Sequence, residues 1–102
     1  MPQFDVYRSP RPKLFPLLLD VQANLLARLA SRVVIPLMTL EAYGARPITR
    51  LHPVASFAGI AYVLVTHELA TIPTTALREP IGSLASQRPM LIAALDLLFT
   101  GS

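Results

Sequence analysis

Residues 50–66 read RLHPVASFAGIAYVLVT, and this stretch decides the fold class. Two runs of strand length, Arg50–Phe57 and Ile60–Thr66, flank Ala58-Gly59. A two-residue connection ending in glycine between such runs predicts a tight β-hairpin. Pro53 has no N–H to donate, so it belongs on an edge or at a bulge. Upstream, Gln3–Arg8 (QFDVYR) sets Phe4 and Val6 against polar neighbours, the alternation of a half-buried strand. Ser9–Pro16 holds Pro10, Pro12 and Pro16 and reads as a loop or irregular edge. Leu17–Gln22 and Arg32–Leu37 are apolar runs of strand length, the first weakened by its leucines. Between them Leu25, Leu26 and Leu29 suit a loop or short helix. Glu41–Pro47, with Gly44 and Pro47, reads as an exposed loop. Downstream, Leu69–Leu77 is broken by Pro73 and suits short strands or turns.

The chain closes on a helix. Ser86 is placed to cap it, Pro89 is tolerated in its first turn, and Met90–Phe99 (MLIAALDLLF) runs about three turns to a stop at Gly101. Leu91, Leu95 and Leu98 share one face and Ile92, Leu95 and Phe99 the next, while Leu97 points elsewhere. A helix apolar on most sides is covered on most sides. In a chain of 102 residues one side can cover the sheet and another must meet a partner. Asp96 is the single charge of the run. It sits in the last turn, where the helix dipole disfavours an anion, and reads as an exposed or interface-edge carboxylate.

Composition bounds the function. Hydrophobic residues make up 53% and charged residues 15%, the reverse of a disordered chain. One domain over residues 1–102 is expected. Cysteine is absent, which excludes disulfides, thiolate nucleophiles and cysteine metal sites. The longest uncharged stretch, Leu51–His67, contains His52, Pro53 and Gly59 and is too short and polar to span a bilayer. The opening MPQFDVYRSP has no apolar h-region, so a cytoplasmic domain is expected. Residues 1–51 carry Arg8, Arg11, Lys13, Arg28, Arg32, Arg46 and Arg50 against Asp5, Asp20 and Glu41, a net +4. Arginine suits carboxylate and phosphate partners through its planar fork. The dense basic clusters and interleaved aromatics of a nucleic-acid binder are missing, so no direct nucleic-acid binding is expected.

The sequence carries few catalytic signatures. His52 and His67 stand alone, with no HxH or HExxH spacing, so no metal is expected. There is no GxSxG turn and no glycine-rich phosphate loop, so no cofactor is expected. A general acid–base ribonuclease assembled in three dimensions stays open, with Arg78, His67 and His52 as candidates.

The order of short motifs resembles a known family. Gln3-Phe4-Asp5-Val6-Tyr7, then Asp20-Val21-Gln22, then Arg32-Val33-Val34-Ile35-Pro36-Leu37 follow the beginning of CcdB-like toxins. Leu51 with Pro53, and Thr66 through Leu69 to Ile72-Pro73, follow the middle. Ala94-Leu95-Asp96-Leu97-Leu98-Phe99-Thr100-Gly101-Ser102 follows the C-terminal helix and tail.

The resemblance implies a mainly β fold: a small SH3-like barrel-type antiparallel sheet, a smaller accessory sheet and a C-terminal α-helix, in a homodimer with the helices near its centre. It implies a non-enzymatic toxin of a type II toxin–antitoxin module. Such a toxin binds the DNA gyrase A subunit, traps the topoisomerase on cleaved DNA, and is neutralised by the disordered acidic segment of a CcdA-like antitoxin. Carried over, the gyrase contacts fall on Leu25, Leu26, Asp96, Phe99, Thr100, Gly101 and Ser102. The basic residues Arg8, Arg11, Lys13, Arg46 and Arg50 are expected along the antitoxin path. The tail departs from the family's best-known member twice: Thr100 stands at a tryptophan position and Ser102 at a terminal isoleucine. Two alternatives are a MazF/Kid-like endoribonuclease toxin on the same fold, and a non-toxic relative that only binds antitoxin.

Overall fold

The computed structural model describes residues 2–101. Seven strands form one antiparallel sheet: β1 (Asp5–Arg8), β2 (Leu17–Asp20), β3 (Ser31–Thr39), β4 (Val54–Phe57), β5 (Ile60–Leu64), β6 (Ala70–Pro73) and β7 (Gly82–Ser83). Their order is β4-β5-β3-β2-β1-β7, with β6 joined to β3. Helix α1 (Leu40–Tyr43) follows β3, and α2 (Arg88–Thr100) closes the chain.

The hairpin forms as its sequence demands. Ala58 and Gly59 both take positive φ, 52° and 78°, the conformation of a two-residue turn that matches strand twist. Phe57 then pairs with Ile60 and Ala55 with Tyr62.

Strand β3 organises the sheet. One edge pairs with β2, setting Leu19 against Ile35 and Asp20 against Val34. The other edge serves two strands in turn, β6 along Ser31–Val34 and β5 along Leu37–Thr39. Pro36 sits where the partner changes. Its carbonyl accepts from Val65 N at 3.0 Å, so the N–H it lacks falls on the side where the ladder is already interrupted. The sheet curls into a half-barrel: the Phe57 ring, at the end of β4, fills the space that a Cβ on Gly82 of β7 would need.

Alternation divides the buried side chains between two faces. Val6, Leu17, Leu19, Ile35, Leu37 and Leu64 point to the main core, which Leu84 and Leu91 complete. Tyr7, Leu18, Val34 and Leu77 form a smaller core on the other face. Helix α2 lies on the main core through Leu91 and Ala94, flanked by Met90, Ile92 and Leu95. Gly101 ends it in the left-handed conformation, φ 75°, with its N–H donating to the Leu97 carbonyl at 3.0 Å.

Several sequence expectations are corrected. The accessory sheet is not separate among the described residues, because β6 joins the main sheet through β3. Strand β4 begins at Val54 rather than Arg50. His52 N bonds back to the Ile48 carbonyl at 2.7 Å, so residues 48–52 form a turn and Pro53 precedes the strand. Leu40–Tyr43 is a one-turn helix rather than loop, capped by Thr39 Oγ1 on Ala42 N at 3.1 Å and ended by Gly44 at φ 70°. Ser86 does not cap α2. It lies in a 3-10 turn over Ala85–Gln87 that leads straight into the helix.

Candidate functional site: a locked apolar loop beside the helix end

A buried ion pair underlies the loop between β2 and β3. Asp20 ends β2 and Arg32 is the second residue of β3, and both side chains are fully buried. Asp20 Oδ2 accepts from Arg32 Nη2 at 2.8 Å and from Nε at 2.9 Å. A carboxylate and guanidinium out of water hold only when paired in good geometry, and this geometry is good. Asp20 Oδ1 accepts from Gln22 N at 2.9 Å. The Gln22 side chain then works in both directions, accepting from Val33 N at 3.0 Å and donating to the Leu26 carbonyl at 2.9 Å. From the other side Gln3 N donates to Asn24 Oδ1 at 2.6 Å, and Gln3 Nε2 donates to the Val21 carbonyl at 3.0 Å.

These bonds fix the β2–β3 loop from beneath while its apolar side chains stay in water. Leu25 is 93% exposed, Leu26 46% and Leu29 52%. Across a shallow depression of about 360 Å³, Leu26 and Leu29 face Phe99 and Leu95 of α2, with Val33, Leu69 and Val21 in its walls. Phe99 is 69% exposed. A locked loop and a helix end thus present one apolar surface that this chain does not cover, the mark of an interaction site.

Of the seven expected contact residues, Leu26 and Phe99 line this depression together. Leu25 stands out from the same loop. Asp96, Thr100 and Gly101 are exposed on the last turn and cap of α2. The Thr100 hydroxyl is turned back and donates to the Asp96 carbonyl at 2.7 Å. Ser102 lies outside the described residues. Leu29, Val33, Leu69 and Leu95 were not expected here. Leu29 carried a signal, since it shares helical spacing with Leu25 and Leu26.

The expected basic residues do not gather at one place. Arg8 lines a depression with Thr75, Ala76 and Arg78, and Arg11 another with Leu14 and Ile72. Lys13 is exposed on the same loop. Arg46 and Arg50 line a third with His52 and Met90.

The two histidines, unconnected in sequence, meet. His52 Nε2 and His67 Nδ1 are 2.7 Å apart and share one hydrogen bond. Their rings meet edge to face at 4.8 Å between centroids, and the Tyr43 ring lies 6.1 Å from His52. His52 is 4% exposed, and its Nδ1 is buried without a hydrogen-bond partner. Arg78, the third ribonuclease candidate, lines depressions with Asp5, Tyr7 and Arg8 and not the one with His52. Among the described residues, no three metal-ligating side chains come together and no helix is long and apolar enough to cross a membrane.

Burial pulls His52 below the usual imidazole value of 6.5, His67 adds to this, and Glu68 opposes it. An unfolded His52 takes up its proton at higher pH than the folded one. The stability it contributes is therefore complete above 6.5 and is lost as pH falls through the folded value. Taking the protein from about pH 7.5 to about pH 5 is expected to lower its denaturation midpoint, and His52→Gln to flatten that dependence. Equal pH dependence in both proteins would contradict it.

A curled antiparallel sheet closed by one helix, with an uncovered apolar surface where loop and helix end meet, defines a small β-sheet interaction domain. The family model described as CcdB protein matches residues 3–101, and the chain belongs to that family. It is thereby a toxin of a toxin–antitoxin module, with an antitoxin for a partner.

Proposed function

We propose that this toxin acts without catalysis, as a homodimer that binds the DNA gyrase A subunit and holds the topoisomerase on cleaved DNA. The observation that carries the reading is the pairing of Leu26 and Leu29 with Phe99 across one depression, with Leu25 fully offered beside them. Exposed apolar side chains on a loop fixed by Asp20, Gln22 and Gln3 lose little freedom on binding, so most of their burial goes into affinity. The test is titration of a purified gyrase A fragment with the chain, in parallel with incubation of RNA without gyrase. Saturable binding with intact RNA supports the reading. Cut RNA without gyrase would favour an endoribonuclease.

The helix supports the dimer. Leu97 and Leu98 are only half-buried in the single chain, although α2 is apolar on most sides. A second copy packed around the end of α2 removes them from water. Leu98→Asp is expected to cost several kcal/mol and to weaken folding and association together, because it leaves an unpaired charge in the interface. Sedimentation of a stable folded monomer at low micromolar concentration of the native chain would contradict the dimer.

A further inference from the structure

We propose that Arg88, the first residue of α2, is a positioning residue for the contact loop: it fixes Gln3, and Gln3 holds Val21 and Asn24, beside which Leu25 and Leu26 project. The use made of the loop rests on the gyrase reading; the hold itself does not.

The device starts at a strained corner. Asp5 N donates to the Pro2 carbonyl at 3.3 Å and closes a turn with Gln3 and Phe4 at its centre. Phe4 takes a φ of 70°. A positive φ at the third position of such a turn favours glycine, and a bulky side chain there is an outlier. Strain of this kind persists only where the surroundings over-determine it. Here the Phe4 ring is buried in the main core, Phe4 N donates to the Asp20 carbonyl at 2.6 Å, and its carbonyl accepts from Leu84 N at 2.8 Å. The corner takes Gln3 out of the line of β1 and sets it against the loop. Gln3 N reaches Asn24 Oδ1 at 2.6 Å, and Gln3 Nε2 reaches the Val21 carbonyl at 3.0 Å.

A glutamine amide keeps its shape when it flips, so only partners at both ends fix it. The Val21 carbonyl accepts and admits only the Nε2 end. At the other end Arg88 Nη1 donates to Gln3 Oε1 at 2.9 Å, and a guanidinium, having donors alone, refuses the flipped amide. The Arg88 guanidinium also lies 5.6 Å from the centroid of the Phe4 ring, within reach of a cation–π contact, so one side chain holds both Gln3 and the corner. Arg88 and Gln3 are 85 positions apart, and no acidic side chain within ion-pair distance competes for Arg88 among the described residues. Helix α2 thus carries Phe99 of the apolar surface near its end and, from its first residue, sets the loop that carries the other half.

The test uses Arg88→Met, which keeps an apolar stem over Phe4 but has no donor, Arg88→Lys, which keeps a donor and the charge, and both native and Gln3→Ala backgrounds. Two quantities are read: amide hydrogen exchange of Leu26 and Ala27 in the free chain, whose N–H groups donate to the Ala23 and Asn24 carbonyls at 2.9 and 3.1 Å, and affinity for the gyrase A fragment. Arg88→Met should speed exchange at both amides by about threefold or more, leave the amides of β3 unchanged, and lower affinity by about threefold. Arg88→Lys should restore most of both. In the Gln3→Ala background Arg88→Met should change neither, because its action passes through Gln3. Loop exchange unmoved by Arg88→Met would overturn the hold. So would an affinity loss of equal size in the Gln3→Ala background, which would make Arg88 a direct contact or a bare steering charge. A native chain that ignores the gyrase fragment while its loop exchange responds to Arg88→Met would overturn the gyrase reading and support the hold.

Discussion

Arg32→Met is expected to cost about 3–5 kcal/mol of folding stability. Arg32 is the bulkiest of the fully buried side chains, and its removal leaves Asp20 charged, out of water and without its guanidinium. Asp20→Asn should be comparably severe, because it strands the guanidinium. A typical domain is stable by about 5–15 kcal/mol, so either variant should be poorly folded near body temperature. The double variant Asp20→Leu/Arg32→Met should recover much of the loss, since two apolar side chains need no partner. Recovery should not extend to binding. Without Asp20 Oδ1 the Gln22 backbone N–H loses its acceptor, which loosens the Gln22 side chain that holds the Leu26 carbonyl. Denaturant unfolding of the three variants, with gyrase-fragment titration of the double one, checks both halves. A single substitution costing less than about 1 kcal/mol would mean that the pair is screened by water.

The second large effect falls on the helix end. Phe99→Ala should weaken binding to the gyrase A fragment by about 2 kcal/mol, near thirtyfold, with little change in stability, because Phe99 is 69% exposed in the folded chain. Thr100→Trp should act in the opposite direction. The Thr100 hydroxyl now folds back onto the Asp96 carbonyl and offers a partner no flat face. A tryptophan there adds apolar area worth roughly 1.5–3 kcal/mol when buried, about ten- to a hundredfold in affinity. Isothermal titration of native, Phe99→Ala and Thr100→Trp chains orders the three. If Phe99→Ala binds as tightly as the native chain, Leu25, Leu26 or Asp96 carries the contact instead.

The parts of this molecule that were legible in sequence are those fixed by neighbours along the chain. Gly59 announces the hairpin because glycine takes a positive φ without strain, and Ala58 is carried into the same region beside it; Gly101 marks the helix stop for the same reason. Ser86 misled because a hydroxyl before an apolar run is a cap only when the backbone enters the helix there; here the Ala85–Gln87 turn comes first. The one-turn helix at Leu40–Tyr43 depends on Thr39 reaching Ala42 N, a single bond with little periodicity to reveal it. The site was half legible. Leu25, Leu26 and Phe99 came from a family resemblance, but what locks the loop did not. Asp20 and Arg32 lie 12 positions apart and meet only through the register of β2 on β3. His52 and His67 meet because the hairpin brings the turns at its two ends together, which no spacing rule for metal or catalytic histidines describes.

The central claim is that this toxin poisons gyrase through the Leu25–Leu26 loop and the end of α2. The most direct measurement incubates the chain with purified gyrase and supercoiled DNA, denatures the protein, and counts broken DNA. The account predicts that broken DNA accumulates with the native chain only at high concentration, at lower concentration with Thr100→Trp, and scarcely at all with Phe99→Ala. DNA left intact even by Thr100→Trp, together with no binding to the gyrase A fragment, would contradict it.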